Sequence, residues 1–231
     1  MRRVGALMPF AETDRGGRRA IQSFREGLAN LGWIEGHNLR IDVGWAGPYA
    51  AGQRSHARDL AALAPEVILA SGTIATQALR DATRAIPIIF VGLSDPVATG
   101  IVSNLARPEA NVTGFMNFEY SMAGKWLSLL KDVAPRLTRV AVLFHPEATW
   151  APLIVRTAQE AGERLSLKVT AAIVPEVAAI EPAIAAMSGD GGLVVFPDGF
   201  NIENRATTIA LAAKHRVPAI YAGRYNVVDD A

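Results

Sequence analysis

Residues 66 to 102 read EVILASGTIATQALRDATRAIPIIFVGLSDPVATGIV, and this stretch predicts the fold of the chain. Two apolar runs in it, VILA at 67–70 and IPIIFVG at 86–92, each stop at a small polar or acidic turn, and a helix-like stretch follows each turn. Such short runs are typical of strands buried on both faces of a parallel sheet. Ligands bind at the carboxyl ends of these strands, because the following helices present unpaired N–H groups and partial positive charge there.

The same arrangement occurs twice more in the second half of the chain. The run VAVLF ends at His145-Pro146, and the run LVVF ends at Pro197-Asp198-Gly199. Two such turns in each half favour a ligand-binding cleft between two sheets.

Strand-like and helix-like stretches alternate along the chain, which is the order typical of parallel sheets covered by helices on both faces. In the first half we predict strands at 3–8, 38–45, 66–70, 86–92 and 111–115, and helices at 15–32, 52–64, 73–84 and 97–104. In the second half we predict helices at 120–133, 150–165, 178–187 and 202–215, and strands at 138–144, 167–173, 192–196 and 217–222. The predicted fold class is therefore α/β, with two doubly wound lobes at 1–117 and 118–231 and a hinge at Asn117 and Phe118.

Composition narrows the classes of function. A length of 231 residues suits two lobes, and a net charge of +1 provides no basic field for nucleic acid or for an anionic membrane. The absence of cysteine excludes thiol nucleophiles, thiolate metal sites and disulfides. The first residues lack the apolar stretch and cleavage site of a signal peptide, and no run of about 18 apolar residues would span a membrane.

Motifs for catalysis and for cofactors are missing. A P-loop is absent, because Trp126 stands where serine or threonine is required and Glu119 stands where glycine is required. Residues 5–10 are too bulky for a GxGxxG loop, and the GxSxG elbow of a serine hydrolase is also absent. The four histidines, His37, His56, His145 and His215, lie far apart in the sequence, and none has the HxxxH or HxH spacing that places two ligands on one metal. We therefore predict no enzyme activity, no metal and no cofactor.

The turn after the third predicted strand has the features of an anion-binding site. Ser71, Gly72, Thr73 and Thr76 bring hydroxyls and free amides to the start of a helix, where a carboxylate or a phosphate would be bound. The alternative is ordinary N-capping, in which a hydroxyl satisfies the amides of its own helix.

Further candidates follow the other strand ends. Asp95 precedes Pro96, which suits the first position of a helix, so Asp95 is either part of the site or an N-cap. Asp198 repeats this arrangement in the second half and would suit an ammonium or a ring of hydroxyls. Phe10 and Phe200 could sandwich a planar ligand. His145 could donate to a carboxylate, or it could be a capping or core histidine.

The order of the segments VGALMPF, LASGTIATQAL, IPIIFVGLSDPVATGIV, NVTGF and FPDGF resembles the ABC-transporter substrate-binding proteins of the tryptophan/tyrosine-type group. This resemblance covers essentially the whole chain and implies the type I periplasmic binding protein fold. It also implies a periplasmic or membrane-anchored receptor that closes two lobes over an amino acid or aromatic acid and presents it to a membrane permease. On matching positions, Ser71, Thr73 and Thr76 would hold a carboxylate, Asp95 would line the first-lobe wall, and Asp198 would meet an ammonium.

The sequence departs from the family in three respects. A signal peptide is missing, His145 stands where members often have asparagine, and the chain stops at Ala231, roughly where members cross back to the first lobe. We therefore expect a second lobe that is truncated at the C-terminus. The missing return would leave apolar surface or a strand edge uncovered, which a homodimer would cover.

Two other functions would use the same cleft. The ligand-sensing domain of a regulator shares the fold, but it needs a helix-turn-helix ahead of the first strand, which begins here by residue 3. An α/β enzyme would need an activated nucleophile, a metal or a cofactor loop. The leading prediction is a non-catalytic solute-binding receptor.

Overall fold

The computed structural model describes residues 1–107 and 110–223. The chain divides into two compact units, unit 1 (Met1–Glu119) and unit 2 (Tyr120–Ala231). Each unit contains one parallel sheet with helices packed against it, so the predicted α/β fold class is confirmed. The predicted division at 117 and the hinge at Asn117 and Phe118 stay predictions.

Unit 1 has five parallel strands and three helices. The strands are β1 (Arg2–Met8), β2 (Leu39–Trp45), β3 (Val67–Ser71), β4 (Ile88–Leu93) and β5 (Val112–Met116). The helices are α1 (Arg15–Asn30), α2 (Ala50–Ala62) and α3 (Thr73–Ala82). The sheet order is β2-β1-β3-β4-β5, so the carboxyl ends of all five strands lie along one edge.

Most apolar strand residues of unit 1 are buried, on both faces of its sheet, whereas Phe115 of β5 is 73 % exposed. On one face, Leu60 of α2 and Leu79 of α3 pack with Ile68 and Phe90 of the strands. On the other face, Ile21 of α1 packs among side chains of β1 and β2. This two-sided burial is the reason why the strands read as continuous apolar runs in the sequence.

Unit 2 has a four-stranded parallel sheet. Its strands are β6 (Arg139–Phe144), β7 (Lys168–Ile173), β8 (Gly191–Val195) and β9 (Ala219–Tyr221). Its helices are α4 (Met122–Val133), α5 (Ala151–Arg164), α6 (Ile180–Ala185), α7 (Gly199–Glu203) and α8 (Arg205–Lys214). The sheet order is β7-β6-β8-β9, and a single 3₁₀ turn at Val177–Ala179 precedes α6.

The predicted helix at 97–104 is wrong. The chain makes a turn there, in which the N–H groups of Ile101 and Val102 both donate to the Pro96 carbonyl, at 2.9 and 3.1 Å. Gly100 has φ = +68°, a left-handed conformation that stops a helix from continuing.

Two predicted helices of unit 2 differ in extent. The one predicted at 178–187 is shorter, because only Ile180–Ala185 is α-helical. The one predicted at 202–215 is two helices, which meet at Asn204 with φ = −97° and ψ = +20°. Both differences come from local backbone geometry at helix ends, where sequence patterns are weakest.

Across residues 1–107 and 110–223, none of the helices combines the length and the apolar character that crossing a bilayer requires.

Candidate functional site

The carboxyl edge of the unit 1 sheet presents the amino terminus of α3. Gly72 connects β3 to α3 with φ = +85°, a region in which a side chain would be strained, and its N–H donates to the Val91 carbonyl at 2.9 Å. Among the residues that the structure describes, no side chain caps α3. The first hydrogen bond of the helix runs from the Thr76 N–H to the Gly72 carbonyl at 3.2 Å, so the N–H groups of residues 73–75 are available to an acceptor.

Three hydroxyl side chains lie at the ends of β3 and β4. Thr73 and Ser94 are each 5 % exposed, and Ser71 is half-buried. Within residues 1–107 and 110–223, none of these hydroxyls has a hydrogen-bond partner in the protein. Their oxygens are not among the fully buried polar atoms without a partner, so these hydroxyls are accessible to a polar ligand or to solvent at this edge. Ser94 is missing from the predicted contacts, although its place directly after β4 is the signal that identifies it.

Thr76 lies inside the same turn and is bonded within it. Its side chain is fully buried, and its hydroxyl donates to the Gly72 carbonyl at 2.7 Å. The hydroxyl proton therefore supports the β3–α3 turn, and the predicted contact of Thr76 with a carboxylate stays a prediction.

Asp95 begins the turn after β4 in a left-handed conformation, with φ = +42°. One carboxylate oxygen accepts from the Ala98 N–H at 3.0 Å, and the Asp95 carbonyl accepts from the Thr99 N–H at 3.1 Å. Asp95 therefore caps a turn, and no helix follows it. Its other carboxylate oxygen has no partner in the described part of the chain. A left-handed non-glycine residue costs free energy and is frequent at functional sites.

Asn117 and Phe118 connect the end of β5 to the turn after β4. The Asn117 N–H donates to the Leu93 carbonyl at 2.9 Å, and the Phe118 carbonyl accepts from the Asp95 N–H at 3.2 Å. A Cβ placed on Gly92 would lie 3.8 Å from Asn117 Nδ2 and 4.0 Å from Gly72 N. The strand ends of β3, β4 and β5 therefore come together at this edge.

Phe10 follows β1 and packs on α1. A Cβ placed on Gly17 would lie 2.9 Å from the Phe10 Cβ, so this glycine gives the Phe10 side chain its space against the helix. Phe10 also contacts the cluster of Ala6, Met8 and Ile21. Stacking of Phe10 on a planar ligand stays a prediction.

In unit 2, Asp198 joins the two turns that follow β6 and β8. It is 4 % exposed. One carboxylate oxygen accepts from the His145 N–H at 2.9 Å, and the other accepts from the Asn201 N–H at 2.8 Å, which caps α7. The Asn201 side-chain amide donates to the first oxygen at 3.2 Å. Both oxygens are thus engaged within unit 2, and the predicted contact with an ammonium stays a prediction.

Burial raises the pKa of the Asp198 carboxyl to about 6. Desolvation is the largest cause, and hydrogen bonds from the backbone N–H groups of Asn201, His145 and Phe200 oppose it. Burial therefore disfavours the charged form of Asp198 more than the three N–H groups favour it.

His145 and Phe200 are both buried and stack on each other, with ring centroids 4.9 Å apart and an interplanar angle of 29°. His145 Nδ1 accepts from the Glu147 N–H at 3.2 Å, and Nε2 lies 3.3 Å from the Pro175 carbonyl oxygen, a pattern that suits the neutral Nε2–H tautomer. Phe200 belongs to the core of unit 2. Their predicted contacts with a ligand stay predictions.

Asn201 is the organising residue that the sequence reasoning missed. It is 2 % exposed, and its side-chain amide donates to the Leu143 carbonyl at 2.9 Å and to the Phe196 carbonyl at 2.8 Å. It therefore ties α7 to the ends of β6 and β8. The available signal was its place three residues after Asp198, which is the spacing of an N-cap and its amide partner.

Comparison with known proteins assigns the chain to a family. Residues 11–230 match the family described as ABC transporter substrate binding protein. A tyrosine-binding protein of Clostridioides difficile (strain R20291) is 24 % identical over 203 residues, which are 87 % of this chain and 58 % of that protein. The chain thus spans less than two thirds of the length of this relative.

Two solved structures have the same fold. A conserved domain protein from Vibrio cholerae has a TM-score of 0.88 and 24 % identity, with 98 % of this chain and 75 % of that chain covered. An ABC domain in complex with L-Trp from Streptococcus pneumonia has a TM-score of 0.86, 20 % identity and the same coverage. These likenesses confirm the type I periplasmic binding protein fold. Since the family match extends over nearly the whole chain, the protein belongs to the ABC transporter substrate-binding proteins.

Proposed function

We propose that the protein is the solute-binding receptor of an ABC importer and that it binds a small carboxylate-containing ligand, an amino acid or an aromatic acid, between its two lobes. Its family consists of substrate-binding proteins, and its relatives include a tyrosine-binding protein and a structure in complex with L-Trp. In this proposal the receptor works outside the cytoplasm, in the periplasm or anchored to the membrane. It delivers the ligand to a membrane permease and catalyses no reaction.

The observation that carries the ligand class is the uncapped amino terminus of α3. Its available N–H groups and the partial positive charge of the helix suit an anion. The unpartnered hydroxyls of Ser71, Thr73 and Ser94 supply further donors beside it. No residue in 71–76 is cationic, which suits a singly charged carboxylate better than a doubly charged phosphate.

The two aspartates have different tasks in this proposal. Asp95 has a carboxylate oxygen without a partner in the described residues, so it is available to the ammonium of an amino acid. Asp198 has both oxygens bound to N–H groups, so we assign it to holding the His145 turn and α7 in place.

Calorimetric titration of the 231-residue protein tests the ligand class. The ligands are L-tryptophan, L-tyrosine and benzoate, and the matched controls are L-tryptophanamide and benzamide, which lack the carboxylate. We expect at least one acid to bind, and its amide to bind at least about tenfold more weakly, because a hydrogen bond to a charged group contributes about 1.5–3 kcal/mol. Equal binding of an acid and its amide, or no binding by any acid, would contradict the proposal.

Two variants test whether the ligand carboxylate binds at the amino terminus of α3. Thr73→Val removes a hydroxyl that has no partner in the described protein, so the thermal stability without ligand should change little. We expect the affinity for the acid identified by calorimetry to fall about tenfold. Ser23→Ala, on the exposed face of α1, is the matched control and should leave the affinity unchanged. Wild-type affinity in Thr73→Val would mean that the carboxylate binds elsewhere.

A further inference from the structure

His145 lies directly after β6, and β6 is the strand between β7 and β8 in the unit 2 sheet. The hydrogen bonds of the sheet continue past the strand ends on both sides of β6. The Val174 N–H donates to the Phe144 carbonyl at 3.0 Å, and the Phe196 N–H donates to the Leu143 carbonyl at 3.0 Å. The turns after β7 and β8 therefore begin on either side of His145, within reach of a side chain at this position.

On the side of β8, His145 makes two contacts. Its main-chain N–H donates to the Asp198 carboxylate at 2.9 Å, and its ring stacks on Phe200 with the ring centroids 4.9 Å apart. Asp198 and Phe200 are both buried, and they are the N-cap and a first-turn residue of α7. His145 therefore holds the turn after β8 and the start of α7 against the end of β6.

On the side of β7, the His145 ring reaches the turn that contains Pro175. Nε2 lies 3.3 Å from the Pro175 carbonyl oxygen, while Nδ1 accepts from the Glu147 N–H at 3.2 Å inside the turn after β6. Because the two nitrogens of an imidazole lie on different edges of the ring, one side chain donates to one turn and accepts from another while its face stacks on a third. Phenylalanine would keep only the stacking, and glutamine would keep only a donor.

We propose that His145 is a positioning residue for the ligand: it holds the turns after β6, β7 and β8 in one arrangement, and this arrangement is the unit 2 part of the binding site. The proposal rests on the proposed function. These turns follow the carboxyl ends of parallel strands, where such sheets bind ligands. Because the ring nitrogens are engaged by Pro175 and Glu147, His145 acts on the ligand through the turns. Turns that are already ordered spare the ligand the cost of ordering them, which raises its affinity.

Hydrogen exchange on the ligand-free protein tests whether His145 holds the turn after β7. His145→Phe keeps a ring for stacking and removes both ring nitrogens. The reporter is the amide of Ala179, which donates to the Glu176 carbonyl at 3.0 Å in this turn. We expect it to exchange about fivefold faster in the variant, because the turn loses its link to β6. The Asn201 amide, which donates to Asp198, is the internal control and should be unchanged, because the main-chain N–H of residue 145 still holds Asp198.

Calorimetric titration with the acid that binds the wild-type protein tests the effect on the ligand. We expect His145→Phe to bind it about fivefold more weakly, and His145→Gln, which keeps a donor for the Pro175 carbonyl, about threefold more weakly. Ile184→Val is the matched control, because it removes a methyl group from the core of unit 2 and lowers stability without changing a contact of His145. Its affinity should equal that of the wild-type protein.

The outcomes separate this proposal from the proposed function. If no acid binds the wild-type protein, the proposed function fails, and the role of His145 fails with it. Wild-type affinity in either His145 variant, or an equal loss in Ile184→Val, would overturn the positioning role while the protein remains a receptor. A weaker affinity without faster exchange at Ala179 would indicate direct contact between His145 and the ligand, and would also overturn the positioning role.

Discussion

Asp198 is a buried carboxylate whose hydrogen bonds come from N–H groups of two separate segments. The His145 N–H reaches it from the end of β6, and the Asn201 N–H reaches it from α7. Desolvation outweighs these hydrogen bonds, so the pKa of the carboxyl is raised to about 6. Its position makes it a residue that fixes two loops at the carboxyl edge of the unit 2 sheet.

The raised pKa of Asp198 predicts a defined dependence of stability on pH. Between pH 3.8, the ordinary pKa of an aspartate, and about pH 6, the native carboxyl holds its proton more tightly than the unfolded chain does. The contribution of Asp198 to stability therefore falls as the pH rises through this interval, by a total on the order of 3 kcal/mol. Asp198→Asn carries a neutral amide in place of the carboxyl, so position 198 does not titrate in this variant.

Urea unfolding of wild type and Asp198→Asn between pH 4 and pH 7 measures this effect. We expect the free energy of unfolding of wild type, relative to that of the variant, to decrease across the interval. A difference that stays constant or increases with pH would show that Asp198 titrates in the native state as it does in the unfolded chain.

At the scale of elements, the helices that begin at the carboxyl edges of the two sheets differ in how their amino termini are hydrogen-bonded. In unit 1, α3 begins without a side-chain cap and leaves its N–H groups available. In unit 2, α7 begins with the Asp198 cap and is tied to β6 and β8 through Asn201. The free helix terminus of unit 1 is therefore suited to an anion, whereas that of α7 is already occupied by a carboxylate of the protein.

Asn201→Ala tests the connection between α7 and the strands. The change leaves the carbonyls of Leu143 and Phe196 without this donor, so we expect a loss of about 2–4 kcal/mol in the free energy of unfolding. Asn204→Ala is the matched control, because its side-chain amide makes one hydrogen bond, to the Phe200 carbonyl at 2.9 Å. Losses of equal size in both variants would contradict the assigned role of Asn201.

At the scale of the whole molecule, the division into Met1–Glu119 and Tyr120–Ala231 bears on the proposed binding mode. A receptor that binds its ligand between two lobes changes their relative position when it closes. The predicted hinge at Asn117 and Phe118 falls inside unit 1, just before its end at Glu119, and stays a prediction. The predicted C-terminal truncation and homodimer depend on the end of the chain, where residues 224–231 lie outside the described residues, and both stay predictions.

Small-angle scattering with and without ligand tests closure. We expect the radius of gyration to decrease when the acid identified by calorimetry is added at saturation, because the lobes enclose it. The corresponding amide, at the same concentration, should leave the radius unchanged. Binding without any decrease would exclude a hinge-closing receptor.

Much of the fold was predictable because it depends on local patterns. The predicted strand at 66–70 corresponds to β3 at Val67–Ser71, since a strand buried on both faces must be apolar throughout. Residues 97–104, in contrast, were predicted as a helix, because proline at 96 suits the first position of a helix. The left-handed conformation of Gly100 and the shared acceptor at Pro96 are properties of the folded backbone.

The sequence by itself determined the α/β class, the parallel strands and the polar turns at their carboxyl ends, because continuous apolar runs and the small residues after them suffice for these features. Only the tertiary structure decided which polar side chains are bonded inside the protein. Asp198 accepts from His145, 53 residues away in the chain, whereas Thr73 and Ser94 have no described partner. The physical reason is that hydrogen bonds and burial depend on neighbours that folding brings together, which no local pattern specifies.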